Sequence, residues 1–132
     1  MKRKTIIRKL DTVFSKWVRL SHADHTGYLN CYTCGVTKHW RECDAGHFRT
    51  RAAYSTRWLD WNGQSMNVKP QCKKCNGFRS GESYIFGCNL NAQYGEGTAE
   101  EITLLSNQIQ KFTNEELQEK IKHYSSLVNK MQ

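Results

Sequence analysis

Two Cys-x-x-Cys pairs, CYTC at residues 31–34 and CKKC at 72–75, constrain this chain more than any other feature. Such a turn points two thiolates at one place, and two turns complete a closed tetrahedral shell around a soft divalent ion. A closed thiolate shell favours zinc and leaves no open position for chemistry, so a structural role follows. Cys31, Cys34, Cys72 and Cys75 are the expected ligands. A second set, Cys31, Cys34, Cys43 and His47, also makes a compact site but strands the second pair. The unpaired Cys43 and Cys88 are expected to be small buried thiols. No thioredoxin-like context accompanies the pairs, which argues against redox chemistry.

The 132 residues are enough for one domain, with 38% hydrophobic residues to build a modest core. No apolar run suits a signal peptide or a membrane span, so six reduced cysteines in a cytoplasmic protein are expected, with no membrane partner. Twenty Lys and Arg against twelve Asp and Glu leave a net charge of +8, which favours a polyanionic partner such as nucleic acid.

Ile6, Ile7, Leu10, Val13, Phe14, Trp17 and Val18 recur at helical spacing, predicting an amphipathic helix over 5–21 with a basic opposite face. Thr98 and Glu101 have capping-box spacing ahead of Ile102, Leu105 and Ile109. Asn114 is placed to cap a last helix that turns Leu117, Ile121, Tyr124 and Val128 inward. The expected organisation is a single domain, 1–132: an N-terminal helical region at 1–27, a metal-organised core at 28–90 and C-terminal helices at 98–132.

The stretch between the cysteine pairs, 35–71, is too long for a simple zinc ribbon and is expected to carry structure or function. It holds DAGHFRTR at 44–51, Trp58 and Trp61, then NVKPQC at 67–72, and an asparagine, Asn76, follows the last cysteine directly. At least one of the tryptophans is expected to pack on the cysteine turns; the other could stack on unpaired bases. His39 lies outside these motifs and is expected at the surface.

The order CYTCG, DAGHFRTRAA, RW, NVKPQCKKCN and SG over about residues 28–82 resembles the lambda NinG family, also called Rap, of phage recombination endonucleases. It is similar more broadly to the HNH (ββα-metal, His-Me finger) nucleases and, in its CxxCN element, to phage endonuclease VII. The resemblance implies an α+β fold: a small ββα-metal core with a four-cysteine zinc site, flanked by N- and C-terminal helices. It implies His47 as general base near a strand end, Asn67 holding the loop through backbone hydrogen bonds, and Asn76 as ligand of a catalytic Mg²⁺ or Mn²⁺. Asp44 is the nearest acidic residue for a second ligand. Phosphodiester hydrolysis needs such parts: an activated water and a cation that stabilises charge on the phosphoryl oxygens.

The chain departs from those families at two places. Many HNH proteins carry Asp or His directly before the base, where this chain has Gly46, and endonuclease VII carries a Glu where this chain has Arg79. Arg49, Arg51, Arg57, Lys69, Lys73, Lys74 and Arg79 surround the motif and are expected to contact DNA phosphates. The resemblance implies a structure-specific endonuclease for branched DNA such as Holliday junctions or D-loops, working in the host cell of a phage or prophage. Two nicks per junction favour a homodimer, with the helices beyond residue 98 as the contact. Two other functions fit the same residues: a non-catalytic zinc-stabilised DNA-binding module, and an HNH nicking enzyme without branch preference.

Overall fold

Ile6, Leu10, Phe14, Trp17 and Val18 are buried along one stripe of a 20-residue helix, α1 (Arg3–His22), in a computed structural model that describes residues 1–132. The chain then forms β1 (Tyr28–Asn30), β2 (Thr37–His39), a 3₁₀ turn at Trp40–Glu42 and β3 (Cys43–His47). A short helix α2 (Tyr54–Arg57) and the strands β4 (Asp60–Trp61), β5 (Gln64–Ser65) and β6 (Val68–Cys72) follow. A wide π-type turn at Lys74–Phe78 leads to α3 (Ser83–Tyr94), α4 (Thr98–Ser106) and α5 (Asn114–Lys130). The architecture is thus mixed α+β, with three two-stranded sheets that pair β1 with β2, β3 with β6, and β4 with β5, all antiparallel.

The largest core lies between α1 and α5 and continues onto β6. Leu117, Tyr124 and Val128 of α5 meet the α1 stripe, joined by Trp58 and Val68. The Phe14 and Tyr124 rings pack edge-on with centroids 4.9 Å apart. A second core joins α3 and α4 through Phe86, Leu90, Ile102 and Met66. Val68 of β6 and Ala45 of β3 pack into the first core, and every residue of β6 is buried.

Several local expectations need correction. Thr98 is not a helix cap: Gly97, at φ +90°, precedes α4, and the Thr98 hydroxyl donates to the Gly95 carbonyl at 2.8 Å. Ile109 lies beyond the end of that helix and is exposed. Thr113, not Asn114, caps α5, in a reciprocal capping box with Glu116. Trp58 is in the helical core, while Trp61 packs in the α3–α4 cluster, which also takes in Tyr32 from the first cysteine turn. Cys43 is buried against Leu29 and Trp40, but Cys88 is exposed on α3. His39 is half-buried and caps the 3₁₀ turn, its Nδ1 accepting from the Arg41 N–H at 3.2 Å. The apolar stripe of α5 is occupied by α1 and is not available to a second copy.

Candidate active site and metal centre

The two cysteine turns meet because β6 delivers the second beside the first. Tyr32 N–H donates to the Pro70 carbonyl at 2.9 Å, tying the 31–34 turn to the strand that ends in Cys72. Gly35 turns the chain at φ +79°, a conformation that suits glycine, and its N–H donates to the Cys31 carbonyl at 2.9 Å. The sulfurs of Cys31, Cys34, Cys72 and Cys75 all lie within 4.8 Å of one another, and Cys34 and Cys72 are 3.7 Å apart. Zinc–sulfur bonds of about 2.3 Å in a tetrahedron require sulfur separations of about 3.8 Å, so these four thiols could hold a zinc ion. Cys43 and His47 are not part of the group. Burial opposes ionisation of Cys31, yet N–H donors from Cys34, Cys72 and Thr33 outweigh it and bring the thiol down to about 6.

The wide turn that follows the second pair sets the position of Asn76. Arg79 N–H reaches back five residues to the Lys74 carbonyl at 2.8 Å, and Cys75 N–H points at the Cys72 sulfur at 3.4 Å. Turns of this width are frequent at functional sites. Asn76 Nδ2 donates to Asp44 Oδ2 at 3.1 Å, while Lys73 Nζ is 2.7 Å from Asp44 Oδ1. Asp44 and Asn76, 32 residues apart in sequence, are therefore in direct contact.

Asn67 is fully buried just before β6 and holds the chain that leaves β3. Its Oδ1 accepts from Arg49 N–H at 2.7 Å and its Nδ2 donates to the Arg49 carbonyl at 3.1 Å. Its own carbonyl accepts from Phe48 N–H at 2.8 Å. Three hydrogen bonds thus fix the two residues after His47.

His47 opens into a cleft of about 920 Å³ that it shares with Asn76. One wall is the polar face of α1, where Lys4, Arg8, Asp11, Ser15 and Arg19 recur at helical spacing; Arg51 and Arg57 line another part. Five cationic side chains and one carboxylate therefore line the cleft into which the histidine opens. Burial, reinforced by the charge of Arg51 and then Arg57 and opposed by Asp11, holds the His47 imidazolium down to about 4. The ring is neutral near pH 7 and can accept a proton.

Asp11 organises the two arginines. It accepts from Arg51 Nη2 at 2.9 Å, from Arg57 Nη2 at 2.6 Å and Nε at 3.2 Å, and from Trp58 Nε1 at 2.9 Å. Burial works against its ionisation, but these donors, Arg57 first, keep its carboxyl below the ordinary range.

Of the side chains expected to contact DNA, Arg51 and Arg57 line the cleft. Lys74 and Arg79 are exposed on and just after the turn that carries Asn76. Lys73 is exposed but paired with Asp44. Arg49 is directed to Ser106 of α4, its Nε donating at 3.0 Å. Lys69 is a correction: it is 1% exposed, donates to Tyr94 Oη at 2.5 Å and sits against the Tyr32 and Tyr94 rings. Burial lowers its ammonium to about 8, and it is not one of the exposed cations. Asp11 and the individual cleft cations of α1 belong to no motif. Their signal is the i, i+4, i+7 spacing on the polar face of a helix whose sole acid is Asp11.

No helix is long and apolar enough to cross a membrane. Neither a curated protein nor a solved structure matches the chain. The family model described as bacteriophage lambda NinG protein matches residues 1–132. That match spans the whole length, cysteine turns, cleft and terminal helices together, and the chain belongs to the NinG family of bacteriophage proteins.

Proposed function

We propose that this protein is a metal-dependent, structure-specific DNA endonuclease that acts on branched intermediates of phage recombination. Membership of the NinG family supports the recombination-related role. The nuclease reading rests on one observation above all: a neutral, half-buried histidine and the asparagine next to the zinc turn line the same cationic cleft. The antiparallel pair β3–β6 followed by a helical turn also agrees with the strand–strand–helix order of the HNH resemblance.

In this reading the DNA backbone enters the cleft against Lys4, Arg8, Arg19, Arg51 and Arg57, which set affinity without reading sequence. A phosphate there offsets the arginine charges that depress His47, so its basicity rises when substrate is bound. His47 takes a proton from the attacking water. Asn67 contributes by fixing the 48–49 backbone beside it. The donor set of Asp44 and Asn76, a carboxylate and an amide oxygen, suits a hard cation such as Mg²⁺ or Mn²⁺, which when bound would stabilise charge on the phosphoryl and leaving oxygens. The zinc site keeps Asn76 in place and takes no part in the chemistry.

Symmetric cutting of a junction requires two such clefts, so the acting form is proposed to be a homodimer whose contact lies away from the covered stripe of α5. Incubation with a Holliday junction and a matched linear duplex, each with Mg²⁺ or Mn²⁺, tests the reading. Cutting of the junction alone supports it, equal cutting of both indicates a nuclease without branch preference, and tight binding without cutting indicates a DNA-binding module.

A further inference from the structure

Gln71 is fully buried in β6, directly across the ladder from Asp44. Its Nε2 donates to the Gly81 carbonyl at 2.8 Å and to the Thr33 hydroxyl at 3.1 Å. The Gly81 carbonyl can only accept, so turning the amide over would set two oxygens against each other. The orientation of Oε1 is therefore fixed, and Oε1 is the one buried side-chain polar atom without a hydrogen-bond partner. A buried acceptor left without a partner is destabilising, so its retention calls for an explanation.

The place where this oxygen lies is informative. A Cβ built on Gly46 would fall 1.7 Å from Gln71 Oε1. The amide thus occupies the space that a side chain directly before His47 would fill. Side chains alternate along a strand, so Asp44, Gly46 and, across the ladder, Gln71 share one face of the hairpin. Asn76 touches Asp44 on that face, and Gly81, which holds the Gln71 amide, lines the cleft beside Asn76. An amide oxygen with no donor, on the same strand face as a carboxylate that itself touches a second amide, offers the donor chemistry of a hard-cation site.

We propose that Gln71 Oε1 is a third protein ligand, with Asp44 and Asn76, of a divalent cation site for Mg²⁺ or Mn²⁺. The proposal rests on the nuclease reading above and adds to it: the ligand expected from the residue before the base comes instead from the neighbouring strand. Gly46 follows from this arrangement, because any side chain there would displace the amide. Lys73 Nζ, 2.7 Å from Asp44, balances the carboxylate until a cation takes over.

The test is Mn²⁺ binding to the full-length, zinc-loaded chain, followed by loss of the free-ion EPR signal. Gln71→Met, close in volume but lacking the oxygen, is expected to weaken Mn²⁺ binding about tenfold or more while zinc content stays unchanged. Asp44→Asn should weaken it as well. Wild-type affinity in Gln71→Met, alongside loss in Asp44→Asn, would overturn the role of Gln71 and leave the nuclease reading standing. Absence of Mn²⁺ binding by the wild-type chain would overturn both. Should Gln71→Met fail to fold, NMR of the wild type decides. The Gln71 side-chain carbonyl carbon is expected to shift with Mg²⁺ along the same titration curve as the Asp44 carboxylate carbon, and a signal that stays still while Asp44 moves refutes ligation.

Discussion

Asp11 is the only acid on α1, and it holds four donors from Arg51, Arg57 and Trp58. Asp11→Asn would weaken all four contacts, at a cost of about 1–3 kcal/mol measured by denaturant unfolding. The same change removes the one nearby carboxylate that raises the His47 pKa, so NMR titration should find that pKa lower still. In the wild type, the acid limb of kcat/KM, which reports the free enzyme, is expected near 4 and well under the ordinary histidine value of about 6.5. The linkage has a definite sign. A neutral buried histidine contributes stability that is complete above about 6.5 and is lost as pH falls towards about 4. His47, Asn67 and Asn76 were legible as candidates, because each fits a position in the motif order of the family the sequence resembles. Gln71 and Asp11 were not, because their roles depend on the partners they meet across the ladder and across the α1 interface, which no local spacing records.

Among the elements, α1 and α5 were legible from apolar spacing, and both are amphipathic with their stripes buried against each other. α3 was not, because its buried residues, Phe86, Gly87 and Leu90, are few and sit between polar and small ones. Helix boundaries were read less well than helix existence: two residues with capping chemistry, Thr113 and Asn114, adjoin, and only the Thr113 hydroxyl reaches the Glu116 N–H, at 3.1 Å. Leu117→Ala, at a fully buried position against α1, is expected to cost about 2–5 kcal/mol while leaving zinc content unchanged, as thermal unfolding and atomic absorption would show. Cys72→Ser should do the reverse. It removes a thiol at the junction of β6 and the Asn76 turn, so zinc is lost and that turn loses its amide protection in hydrogen exchange, while the α1–α5 pairing persists.

At the level of the whole molecule, part of the net charge of +8 is concentrated in one cleft, which five cations and a single carboxylate line. Lys4 and Arg8 stand exposed on that wall. Replacing either by alanine should reduce the slope of log affinity for duplex DNA against log salt by about 0.9, which fluorescence anisotropy at several salt concentrations would measure. The mixed α+β class followed from the family resemblance, and the cysteine cluster from the spacing of its two pairs. The cleft did not, because it forms only when α1 packs against β3 and β6 and brings its polar face over His47. The most direct measurement of the central claim compares wild type with His47→Ala, in single-turnover cleavage of a branched DNA with Mg²⁺ and in binding of the same DNA. Binding within about twofold of wild type with cleavage slowed at least a hundredfold is the predicted result, in line with the ~10²–10⁴ contribution of a general base. Cleavage by His47→Ala at the wild-type rate would contradict it.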